Sequence, residues 1–222
     1  MPIESMSSKQ WYDYLIDILI LKQQVEQPDG TSLLEPLKCK SEQLWPSLEW
    51  PIIWKRARMP GLSNDSRSFL FKLLHNILPT QERLFRITRT TFSDVCVCCD
   101  SGLTDNVWNH SFTACSHTLP AMNWLMSSLS SFDPSTNLDK IIWLQVDTTN
   151  ETNELAAIWL IAETMSYAWS RRRTRSNISI PSLITDLLTK ANHLQNTSHY
   201  HNAGAILLDA MKTRPTIASL DP

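Results

Sequence analysis

Apolar side chains recur every three to four positions along several stretches of the chain, the spacing of amphipathic helices. In residues 8–26, Trp11, Leu15, Ile18, Leu21 and Val25 share a face and Ser8 stands at the cap position. Gln27-Pro28-Asp29-Gly30 closes that segment with turn chemistry, and Pro36 and Pro46 leave 31–50 as an irregular linker. Phe69, Leu70, Leu73, Leu74 and Ile77 predict a helix over about 65–77 that Pro79 stops, since proline disfavours a helical residue before it. Thr80 then caps a second helix through about 88, with Leu84 and Ile87 inward, and the two make a helical hairpin. Short helices are expected at 119–131 and 138–144. The longest spans 151–173, with Leu155, Ile158, Trp159, Ala162, Met165, Ser166 and Trp169 on its apolar face. Glu151 and Glu154 suit the positive end of its dipole. Two more helices are expected at 180–195 and 204–212.

Composition narrows this picture. A chain of 222 residues with 42% hydrophobic and 19% charged side chains buries a real core and is not disordered. Only 4 glycines argue against a glycine-rich phosphate loop and against barrels with many tight turns. The 9 tryptophans are mostly core anchors, although Trp50, Trp54 and Trp108 are candidates for stacking on single-stranded bases. The apolar run from Leu15 to Leu21 is interrupted by Asp17 and closed by Lys22, too short for a bilayer. With no leader pattern at the start, the expectation is a soluble protein with no membrane partner.

One stretch carries chemistry. Two residues lie between Cys96 and Cys99, four between His110 and Cys115, and ten between the pairs. Two thiolates on a tight turn, with an imidazole and a third thiolate, complete a tetrahedral zinc shell with no open position. The metal expected here is Zn2+, structural and not catalytic. Cys98 can replace Cys96 or Cys99 in that shell, and His117 can compete with Cys115. Of the 5 cysteines, Cys39 and Cys98 are left over, which is not a disulfide framework and points to a reducing, intracellular compartment. The expected fold is therefore mainly α, with helical hairpins flanking a small loop-rich zinc-binding module. Its expected parts are an N-terminal helix and linker (1–48), the basic hairpin with the zinc module (49–118) and a C-terminal helical region (119–222).

Charge is uneven. Residues 51–90 carry eight basic and two acidic side chains, although the whole chain has a net charge of −2. Lys55, Arg56 and Arg58, then Arg83, Arg86 and Arg89 at helical spacing, are candidate phosphate contacts. Arg171, Arg172, Arg173 and Arg175 form a tighter cluster, which the negative end of the long helix also favours. No G-x-x-x-x-G-K-[ST], G-x-S-x-G, H-E-x-x-H or Tyr-x-Asp-Asp run occurs, so the chain is expected to bind and not to catalyse. The competing expectation is a protein-interaction adaptor, docking through the apolar face of 8–26 and surplus tryptophans.

The stretch from Trp50 to Cys115 resembles a known family. Its order is Trp54-Lys55-Arg56, then Phe69-Leu70-Phe71-Lys72-Leu73-Leu74-His75-Asn76, then Leu78-Pro79-Thr80-Gln81-Glu82-Arg83-Leu84. The metal ligands follow, ending in His110-Ser111-Phe112-Thr113-Ala114-Cys115. This is similar to the zinc-binding region after the reverse transcriptase domain of non-LTR retrotransposons of the long interspersed element type. The resemblance implies the ligands Cys96, Cys99, His110 and Cys115 and the hinge Leu78-Pro79-Thr80 with Arg83. It also implies RNA template and target DNA as partners, a reverse transcriptase or another protein beside them, and a nuclear location. The palm and endonuclease motifs of that family are absent from this sequence.

Overall fold

The computed structural model describes residues 45–79, 95–96, 98–100, 110–148, 150–197 and 200–212. The helix expected over 8–26, the second arm of the hairpin with Arg83, Arg86 and Arg89, and Trp108 lie outside the described residues. Within them the chain forms seven α-helices, one π-helical turn and no strand. These are α1 (Trp50–Ala57), α2 (Asn64–Leu74), the π-turn (His110–Ala114), α3 (Leu119–Leu129), α4 (Leu138–Ile142), α5 (Glu151–Arg173), α6 (Ile180–Gln195) and α7 (His201–Lys212). The mainly α class read from the sequence is the class found.

Helix α5 is the axis of the molecule. Helices α2, α3, α6 and α7 all pack on it, α1 rests on α2, and α7 lies along α6. The single apolar face expected for α5 is too narrow, because every residue from Ala156 to Ser166 is buried. A helix enclosed by four others keeps no solvent face, and its sequence loses the one-sided pattern. Buried side chains from Trp50 to Met211 belong to one core. The boundary expected between 118 and 119 runs through that core, so the two segments share it. Trp45, Trp143, Trp50 and Trp54 make successive ring contacts at 4.7, 5.7 and 6.1 Å. Trp50 is buried and donates its indole N–H to the Trp45 carbonyl at 3.0 Å, so it packs and does not stack on bases.

Helix starts follow the sequence. Ser63, Asn137, Asn150 and Ser179 each accept a backbone N–H of the first turn that would otherwise be unpaired. Helix stops do not. Helix α2 ends at Leu74, before the proline expected to end it. Asn76 takes a φ of +52°, Asn76 N–H bonds the Leu73 carbonyl, and Ile77 N–H bonds the Lys72 carbonyl. Leu144 after α4 and Arg175 after α5 repeat the same double bond at φ of +55° and +53°. Glycine usually fills this left-handed position, and here none does. Gly204 serves another purpose: a Cβ there would sit 2.6 Å from the Gln195 backbone nitrogen, so its absence lets α7 fold back onto α6.

The turn between α3 and α4 is held by one buried carboxylate. Asp133 accepts the N–H and hydroxyl of Ser135, the hydroxyl of Thr136 and the N–H of Asp147. Burial pushes this carboxyl up, but those donors outweigh it and bring it from 3.8 to about 2. A carboxylate lowered in the folded state stabilises the fold fully above its unfolded value. That contribution fades as pH falls from about 4 towards about 2. Asp133→Asn is expected to flatten this part of the acid-unfolding profile, measured by helical circular dichroism between these pH values.

Candidate metal centre

The four residues singled out by their spacing meet in space. One ligand atom from each of Cys96, Cys99, His110 and Cys115 lies within 4.8 Å of all the others, and such a group can hold a metal ion. Cys96 Sγ is 3.9 Å from Cys115 Sγ, and Cys99 Sγ is 3.4 Å from His110 Nε2. Cys96, His110 and Cys115 are buried, and Cys99 is half-buried.

Two local devices set these positions. The first is a tight turn in which Asp100, at a φ of +54°, donates its N–H to the Cys96 carbonyl at 2.9 Å. This folds Cys99 back beside Cys96. The second is the π-turn. His110 and Cys115 are five residues apart, and in an α-helix they would point about 140° away from each other. The wider turn, closed by Cys115 N–H on the His110 carbonyl at 2.7 Å, brings them to the same side. Thr118, fully buried, donates its hydroxyl to the Ser111 carbonyl at 2.7 Å and so ties the π-turn to α3. Phe112 of the π-turn packs against Phe69 of α2 and Trp169 of α5, which anchors the turn in the core.

Electrostatics favour thiolate at Cys96. Burial pushes the Cys96 thiol up, but the Cys98 N–H, His110, the Arg172 guanidinium and Cys99 together bring it down to about 6. Burial, together with the like charge of Cys96 and Cys99, raises Cys115, opposed by the N–H groups of His117 and Thr118 on its sulfur. A dication among these sulfurs would reverse that repulsion. Cys98 behaves differently. Burial raises its thiol to about 11, and the thiol donates to the Arg172 carbonyl at 3.6 Å, outside the four. The alternatives that the sequence leaves open at Cys98 and His117 are thus resolved by placement: the group comprises Cys96, Cys99, His110 and Cys115.

The cations divide into two kinds. Lys55, Arg58, Arg173 and Arg175 are exposed, and Arg171 is half-buried over the Tyr167 ring. Arg56 and Arg172 depart from the expectation that they face phosphate. Arg56 bonds Glu154 at 2.7 Å and the carbonyls of Leu144 and Val146, fastening α1 to the start of α5. Arg172 is 4% exposed and donates to Cys96 Sγ at 3.4 Å. Its inward direction is legible in register, because Met165, Trp169 and Arg172 fall at i, i+4 and i+7 on one side of α5. Among the described residues no helix is long and apolar enough to cross a membrane. Comparison with protein-family models, curated proteins and solved structures finds no match to this chain.

Proposed function

We propose that the chain is a nucleic-acid-binding protein organised by a structural zinc ion on Cys96, Cys99, His110 and Cys115. The observation that carries this reading is the convergence of those four atoms. A tetrahedral ion with sulfur at about 2.3 Å and nitrogen at about 2.0–2.1 Å needs ligand separations of about 3.8 Å for S–S and about 3.5 Å for S–N. Two of the six separations, 3.9 and 3.4 Å, match these values, and all six lie within 4.8 Å. Three thiolates and an imidazole suit zinc over magnesium or calcium, which prefer oxygen. Such a set also leaves no position for substrate, so the metal holds structure.

The nucleic-acid part rests on cations gathered beside the centre. Arg173 and Arg175 are exposed at the end of α5, next to the metal-facing Arg172. Burial chiefly, and the nearby Arg173 charge besides, lower the Lys72 amine against Asp65, so Lys72 adds a cation close to Arg173. The resemblance to the retrotransposon zinc-binding region supports the same direction, with RNA template and target DNA as ligands. Exposed Ile52 and Phe71 on α1 and α2 favour the second reading, a protein-docking adaptor.

Salt separates the two. The zinc-loaded chain is expected to bind single-stranded RNA or duplex DNA with an affinity that falls linearly with salt on logarithmic axes. Replacing Arg173 and Arg175 by Ala should lower that slope by about one per residue. Absence of binding to either ligand at low salt, with zinc present, would overturn the nucleic-acid reading. A zinc content near zero in the purified chain would overturn the metal.

A further inference from the structure

We infer that Arg172 is the charge-balancing partner of the metal centre, a positioning residue that completes it electrically. The inference rests on the metal reading above and extends it to α5. A dication held by three thiolates and a neutral imidazole carries one net negative charge. Water screens that charge only in part, because Cys96, His110 and Cys115 are buried and Cys99 is half-buried. The Arg172 guanidinium supplies the missing positive charge.

The geometry supports this from both directions. A guanidinium that is 4% exposed needs an anion, since burying an unpaired charge is strongly destabilising. Among the described residues no carboxylate pairs with Arg172. Among the described residues its side-chain partners are Cys96 Sγ at 3.4 Å and the face of Trp169 at 5.5 Å, and its Nε–H has none. The contact is reciprocal, because the Cys98 thiol donates to the Arg172 carbonyl at 3.6 Å. The cysteine turn therefore grips α5 through both side chain and backbone. Arg171 and Arg173 flank this residue, so the metal centre stands beside the basic end of α5.

The test uses the full chain and Zn2+ affinity measured by competition with a chelator. Arg172→Met is expected to weaken Zn2+ binding about 10–100-fold, and Arg172→Lys to recover part of the loss. Cys99→His gives two thiolates and two imidazoles, a neutral centre with the Arg172–Cys96 contact untouched. In that background Arg172→Met should cost less than about 3-fold, because no excess charge remains. An equal loss in both backgrounds would make Arg172 a packing residue and overturn the proposal. So would an unchanged affinity in the native background. Should Cys99→His fail to bind, melting temperatures decide: Arg172→Met must lower stability with Zn2+ present and leave it equal or higher with chelator. Lowered stability in both conditions would overturn it. A native chain that binds no Zn2+ would remove the underlying reading itself, an outcome distinct from these.

Discussion

Cys99→Ser is expected to leave the chain without bound metal and to lower its melting temperature by roughly 10 °C or more. Ser is nearly isosteric, so the change tests the ligand and not the packing. A hydroxyl is a far weaker ligand than a thiolate for a borderline-soft ion, and three remaining donors hold it poorly. Metal binding at such a site is largely folding energy, because the unfolded chain has no preformed shell. The loss should be local before it is global. The turn around Cys96 and the π-turn depend on the ion for their mutual position, whereas α6 and α7 pack on α5 through Leu183, Leu187, Leu207 and other apolar contacts. Hydrogen exchange should therefore rise first at 95–100 and 110–115 and stay slow along α5. Cys98→Ser is the control. Its thiol bonds the Arg172 carbonyl and lies outside the four, so metal content should be unchanged. Unchanged metal in Cys99→Ser by elemental analysis would refute the site.

The contrast between Cys98 and Cys99 shows where sequence reading works and where it stops. Ligand spacing is a local property, and it named four residues that the fold brings within 4.8 Å. Which of two adjacent cysteines turns inward depends on Arg172, 74 positions away. Helix existence was similarly legible. The spans Glu151–Arg173 and Ile180–Gln195 agree with the apolar period and with the caps Asn150 and Ser179. The helix stops before Asn76 and Leu144 were hidden, because no glycine marks the left-handed residue. Helix α1 was missed as a helix, since eight residues with Pro51 in the first turn offer little periodicity. Arg56 and Arg172 were read as solvent cations from their charge alone. Cations this close to an apolar register demand a search for a buried partner before any phosphate is invoked.

Glu163→Ala is expected to destabilise the fold by about 3–5 kcal/mol, although Glu163 belongs to no site. Its side chain is fully buried at the centre of α5, where no sequence pattern distinguishes it from a solvent-facing glutamate. Its carboxylate accepts the Ser63 N–H at 2.8 Å, the Ser63 hydroxyl at 3.0 Å and the Lys190 ammonium at 3.0 Å. Ser63 caps α2, so the negative charge also sits at the positive end of that helix dipole. One carboxylate thus joins α2, α5 and α6. Removing it opens a void, strands the Ser63 donors and leaves Lys190 with Asp186 as its remaining carboxylate. Lys190→Met should also destabilise, because it leaves the buried carboxylate without its cation. The two losses should fall well short of additivity in the double variant, since each breaks the same network. Chemical denaturation of the four proteins measures this directly. Additive losses would mean that Glu163 and Lys190 stabilise the fold independently, and the carboxylate would not be the joint that links the three helices.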